Sequence, residues 1–134
     1  MSKIIIIGAG AMGSAFSFPC IDNKHDVNIV GTHLENDFID NLKKNKNLHP
    51  GLDVKIDKKV KIYKCEDLSE LLDANTDLIV LGISSKGIEW VSEQLSKIFK
   101  DKNIPNLLLL TKGLSIFNNN YELLINKLKR LLSE

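Results

Sequence analysis

The stretch "KIIIIGAGAMG", Lys3 to Gly13, decides the architecture. Its first half is a short β-branched run without polar alternation, the pattern of a strand buried on both faces. Its second half sets Gly8, Gly10 and Gly13 in G-x-G-x-x-G spacing and opens a helical stretch from Ala11 to about Ile21. Alone, that spacing recurs by chance; a strand before it and a helix after it supply the required setting. Gly8 permits a tight turn. Gly10 lets the backbone approach a pyrophosphate, whose charge the helix N-terminus favours. Gly13 lets the helix pack closely on the sheet. The alternative is a glycine-rich turn with no ligand.

Outward from this turn the chain keeps alternating between two periods. Further strands are expected at Asp26–Gly31, Lys59–Tyr63, Asp77–Ile83 and Asn106–Thr111, where "NLLLLT" also reads as buried on both faces. Helical spacing follows each: Phe38, Ile39 and Leu42; Leu68, Leu71 and Leu72; Ile88, Val91, Leu95 and Ile98. A last helix, about Tyr121 to Leu132, carries Leu124, Leu128, Leu131 and Leu132, with Leu123 and Ile125 beside that stripe. The alternation predicts an α/β fold, a doubly wound, mainly parallel sheet of the Rossmann-like dinucleotide-binding kind, in one domain over residues 1–134. Pro19 should kink or end the first helix near Ala15–Pro19, because it removes a backbone hydrogen bond and clashes with the Ala15 carbonyl. "NKNLHPGLDVKIDK" reads as a surface excursion, with His49 as a loop residue.

Composition narrows the function. The 134 residues carry 18 Lys+Arg against 17 Asp+Glu, and a net charge of +1 offers no electrostatic case for nucleic acid or an anionic membrane. No apolar run is long enough to span a bilayer. Cys20 and Cys65 have no metal or CxxC spacing and read as reduced thiols of a cytoplasmic protein.

The end of the second strand usually carries an acid for the ribose hydroxyls. Here that place holds Thr32 and His33. Thr32 can donate one hydrogen bond and His33 can add positive charge, which leans the cofactor from NAD towards NADP. Equally, both are loop residues and Glu35 serves the ribose. Ligands of an open α/β sheet bind outside the carboxyl ends of its strands. Thr111-Lys112-Gly113 and "GISSKG" (Gly82–Gly87) both end there, so Lys112 can hold a substrate oxygen or polarise a carbonyl that receives hydride. The alternative is a solvated lysine in a turn.

"KIIIIGAGAMGSAFS", "HDVNIVG", "HPGLDVKIDKKVKIYKCEDLSELL", "TDLIVLGISSKGI" and "LLLLTKGL" together resemble NAD(P)-dependent glycerol-3-phosphate dehydrogenase. The resemblance implies NAD or NADP on Gly8, Gly10, Ala11, Met12 and Gly13. It makes Lys112 the residue that touches substrate and cofactor together, and it sets the Ser84 loop beside the nicotinamide. In the family that loop often reads Pro-Ser-Gln; here Ser84-Ser85-Lys86 lacks the proline. The substrate is then a small anionic phosphorylated compound, dihydroxyacetone phosphate or glycerol 3-phosphate. The resemblance further implies that a C-terminal helical substrate domain is missing from this chain. The fragment alone should bind cofactor weakly, catalyse little, and self-associate as a homo-oligomer through its last helix or an open sheet edge. A ketopantoate reductase-like domain is the rival enzyme, disfavoured by Lys112 where that family shows asparagine. A nucleotide-sensing regulatory module is the rival of another class, disfavoured by Thr32-His33 and the long insertion.

Overall fold

The computed structural model describes residues 1–100 and 102–133. Five parallel strands form the main sheet: β1 (Lys3–Ile7), β2 (Asp26–Val30), β5 (Lys61–Tyr63), β6 (Leu78–Leu81) and β7 (Asn106–Leu109). Their order is β5-β2-β1-β6-β7, parallel at every pairing. The chain therefore winds outward from β1 to β5, then returns to the other side of β1 at β6. The reversal leaves a crevice at the carboxyl ends of β1 and β6.

Helices cover both faces. Ile4 and Ile6 of β1 join Ile29, Ile39 and Leu42 in one core, under α1 (Ala11–Asp22) and α2 (Asn36–Lys44). Ile5 and Ile7 point the other way, into a second core with Ile88, Val91 and Leu95 of α4 (Gly87–Ile98) and Leu124 and Leu128 of α5 (Leu124–Leu132). The two-residue period of the strand thus feeds two cores from one run of isoleucines. A 3-10 turn (Cys65–Asp67) and the short α3 (Leu68–Leu71) bridge β5 to β6.

Four expectations are corrected. Helix α1 does not end early: it runs unbroken through Pro19 to Asp22. Its last turn is held by Asn23, whose backbone N–H and Nδ2 both donate to Pro19 O, at 3.1 and 2.7 Å. Strand β7 is an edge strand, so its leucines are not buried on both faces; Leu108 is 37% exposed. Residues 121–123 belong to no helix. They lie in β9 (Asn120–Leu123), which pairs antiparallel with β8 (Leu114–Phe117). The two-residue loop Asn118-Asn119 has φ of 52° and 64°, the positive values that a type I′ hairpin turn requires and asparagine tolerates. Lastly, the segment before β5 is not a simple surface excursion. It forms a small antiparallel pair, β3 (Leu48–His49) with β4 (Val54–Lys55), and buries His49, Ile56 and Val60.

Candidate functional site

Two clefts meet at the crevice and share Gly10, Gly82, Ile83 and Ser84. The first, ≈ 440 Å³, is completed by Ala11, Met12, Ser85, Leu110, Thr111 and Lys112. The second, ≈ 390 Å³, is completed by Thr32, His33, Leu34, Glu35, Lys86 and Gly87.

The glycine turn forms their common wall. Gly8 has a φ of +111°, and a Cβ there would collide with the backbone oxygen of Gly82. Gly13 and Gly82 face each other closely, and a Cβ on Gly82 would lie 2.8 Å from Gly13 Cα. Ser14 and Ser17 of α1 are small and buried; Ser14 Oγ donates to Ala9 O at 3.0 Å and Ser17 Oγ to Ser14 O at 2.6 Å. Gly10 differs from both. Its φ of −67° suits any residue, and an added Cβ would meet no atom of the described residues within 4 Å beyond its chain neighbours. The protein has no internal need for glycine at this position, so the open space over it fits a group that approaches the backbone from outside. The N–H groups of Ala11 and Met12 open α1 with no acceptor among the described residues, since the first intrahelical bond runs from Ser14 N to Gly10 O. Uncapped N–H groups beside open space suit a phosphate.

Lys112 is exposed, not lodged in the core, and makes no hydrogen bond or ion pair among the described residues. Its place is fixed by its neighbours. Leu110 N donates to Leu81 O at 2.9 Å, and Thr111 Oγ1 donates to Ile83 O at 2.6 Å. These bonds tie the end of β7 to the end of β6 and hold Lys112 over the cleft that Ser84 borders. Gly113, at φ +125°, then turns the chain into the β8–β9 hairpin.

Thr32 and His33 line the other cleft. The His33 ring packs on Trp90 with centroids 4.9 Å apart, so the tryptophan of α4 supports this corner while also packing on the core. Glu35 is turned inward: one oxygen, Oε1, accepts from Thr32 N at 2.9 Å and from Ala9 N at 3.2 Å. The expected site residues thus divide between two adjoining clefts, Lys112 in the first and Thr32 with His33 in the second, with the glycine turn and Ser84 between. Missed from sequence was His49, which is 2% exposed and reaches Ala9 O from Nε2 at 2.9 Å. Nothing in "NLHPG" signals such burial, because the partner is a backbone oxygen 40 residues away.

A doubly wound α/β sheet with a glycine turn at its switch point defines a domain of the dinucleotide-binding class. Within that class, the chain belongs to the family described as NAD-dependent glycerol-3-phosphate dehydrogenase N-terminus, which matches residues 3–134. It is 36% identical over 116 residues to the NADP(+)-dependent glycerol-3-phosphate dehydrogenase of Archaeoglobus fulgidus, covering 87% of this chain and 33% of that protein. It is 34% identical over 112 residues to a glycerol-3-phosphate dehydrogenase (NAD(P)+) of Lactococcus lactis subsp. cremoris, covering 84% and 31%. The chain therefore spans about a third of the length of the curated relatives it matches. Among solved structures, glycerol-3-phosphate dehydrogenase from Coxiella burnetii superposes with a TM-score of 0.76 at 20% identity, over 99% of this chain and 38% of that one. The Saccharomyces cerevisiae enzyme gives 0.66 at 16% identity, over 98% and 39%. These likenesses show the fold.

Proposed function

We propose that residues 1–134 are the cofactor-binding domain of an oxidoreductase that moves hydride between NAD(P)H and dihydroxyacetone phosphate or glycerol 3-phosphate. The observation that carries this reading is the convergence of the glycine turn, the Ser84 loop and Lys112 on one crevice, in a chain of this family. The pyrophosphate lies over Gly10 against the N–H groups of Ala11 and Met12. The adenosine half takes the cleft of Thr32 and His33, and the nicotinamide half takes the cleft of Ser84 and Lys112. Once bound, the nicotinamide supplies the hydride.

Lys112 then acts on the substrate. Its ammonium has no partner to leave among the described residues, so it is available to an anionic phosphorylated compound and to the oxygen that gains negative charge as hydride arrives. A cation already fixed there stabilises that charge without reorganising. His33 at the ribose corner, and the NADP(+) in the name of the archaeal relative, favour NADP over NAD. The rest of the substrate pocket belongs to a further, C-terminal domain of the intact protein. No helix among the described residues is long and apolar enough to cross a membrane, and both cysteines are unpaired thiols. The thiols support a reducing, cytoplasmic setting.

The test is steady-state turnover of dihydroxyacetone phosphate by the intact protein with NADPH and with NADH. Oxidation of either cofactor that depends on the phosphorylated ketone supports the assignment. Cofactor binding without turnover of this ketone removes the substrate, and no binding of either dinucleotide removes the whole reading.

A further inference from the structure

The peptide between Gly8 and Gly10 is held from three directions. Ala9 is fully buried, and both of its polar backbone atoms are taken up by side chains. Its N–H donates to Glu35 Oε1 at 3.2 Å. Its carbonyl accepts from Ser14 Oγ at 3.0 Å and from His49 Nε2 at 2.9 Å. The His49 ring is oriented by its other nitrogen: Nδ1 accepts from Gly51 N at 3.1 Å and from Leu52 N at 3.3 Å. An accepting Nδ1 leaves the proton on Nε2, which makes that atom the donor to Ala9. The Phe38 ring stands edge-on to the imidazole at 5.3 Å, so the ring has little room to turn away.

The Pro50-Gly51 turn does not by itself need an imidazole. Any short acceptor, such as an asparagine side chain, can hold the N–H groups of Gly51 and Leu52. Only a longer group with a terminal donor also reaches Ala9. We infer that His49 and Glu35 are positioning residues for the dinucleotide: Glu35 holds the peptide plane before Ala9 and His49 the plane after it, which contains the Gly10 N–H, and together they set the direction of the backbone N–H groups at Gly10, Ala11 and Met12. His49 lines neither cleft, so it acts without touching the cofactor. Because Glu35 Oε1 also holds Thr32 N, one oxygen couples the phosphate turn to the ribose corner. This inference rests on the dinucleotide reading of the crevice.

Two isosteric substitutions separate positioning from mere folding. His49→Asn keeps an acceptor near the Nδ1 position and loses the donor to Ala9. His49→Gln keeps a donor near the Nε2 position. Titrating NADPH and NADH into the intact protein, His49→Asn should weaken binding about tenfold, the scale of one lost hydrogen bond to a group that must be held in place. His49→Gln should return affinity to within about threefold of wild type. In turnover, the loss should fall on KM for the dinucleotide rather than on KM for the phosphorylated co-substrate. Equal affinity in His49→Asn and wild type overturns the inference. So does a loss in both variants that follows melting temperature alone. Should His49→Asn not fold, Ser14→Ala carries the same test, since it removes the other donor to Ala9 O from a buried position that lines neither cleft: weaker binding supports the clamp and unchanged binding overturns it. Wild-type protein that binds neither dinucleotide overturns the reading beneath, and the clamp's role with it.

Discussion

Strands β1 and β7 each belong to an unbroken run of four large apolar residues, Ile4–Ile7 and Leu107–Leu110, yet they end in different surroundings. β1 lies at the centre of the sheet between β2 and β6, and its isoleucines are 4% exposed or less. β7 pairs with β6 alone, and its leucines are half-buried or exposed. The apolar surplus continues beyond it. Leu114, Ile116, Phe117, Tyr121 and Leu123 of the β8–β9 hairpin and Ile125 of α5 are all exposed. A run of apolar residues records how many neighbours a strand can use, not how many it has. Around β1 every such demand is met inside the chain. Around β7 and the hairpin it is not.

The comparison breaks most sharply on stability. Ile6→Ala should cost roughly 3–4 kcal/mol, a transfer term plus a cavity in close packing. Leu108→Ala should cost about 0.5 kcal/mol or less, because its site is already partly wet. Denaturant unfolding of the two variants measures both, and similar losses would contradict the centre-and-edge account.

The next effect is on turnover. Lys112→Met in the intact protein should lower turnover by about two orders of magnitude, roughly 2.7 kcal/mol of transition-state stabilisation. Its melting temperature should hold, since Lys112 is exposed and unpaired among the described residues. Normal turnover would return Lys112 to the status of a solvated turn residue.

The hairpin provides a smaller effect that depends on pH. Glu122 receives Arg130 at both carboxylate oxygens, at 3.0 and 3.1 Å, and Ser115 Oγ at 3.1 Å. Arg130 also lies 3.8 Å over the Phe117 ring. Chiefly the Arg130 hydrogen bonds, and then that of Ser115, hold the Glu122 carboxyl below its ordinary value. A carboxyl lowered in the folded state adds stability that is present above its unfolded pKa and is lost as pH falls through the folded one. Thermal unfolding should therefore show wild type losing melting temperature on the acid side, and Arg130→Met losing less of it. Parallel acid limbs would show that the pair adds nothing to the hairpin's attachment. Smallest of all, the exposed edge should drive weak self-association, which Leu108→Lys should reduce in sedimentation. A strict monomer at high concentration in wild type would count against an unmet edge.

What was legible in the sequence follows the same division. The order of strands and helices, the glycine turn and the stripes of α2 and α4 rest on local periodicity, and the structure has them. The edge position of β7 was not legible, because one chain of leucines looks alike at a centre and an edge. The hairpin was legible in principle: "LSIFNNNYEL" puts two asparagines between short alternating runs, and the pull of the following leucines towards a helix hid it. Pro19 misled because the rule for a proline in a regular helix counts the lost bond and the clash, whereas α1 carries its proline near the end and recovers a hydrogen bond at Asn23. At the site, Gly8, Gly10 and Gly13 were legible because a motif encodes them. His49 was not, because only the fold brings it to Ala9.

The central claim is that Gly10 is glycine for the sake of a ligand rather than for the fold. Titration of NADPH and NADH into wild type and Gly10→Val, with melting temperature measured on both, tests it most directly. The account predicts that the valine variant stays folded, at a cost of about 1 kcal/mol or less at this helix N-cap, and loses dinucleotide binding by about a hundredfold or more. Unchanged affinity in a folded Gly10→Val protein would contradict it.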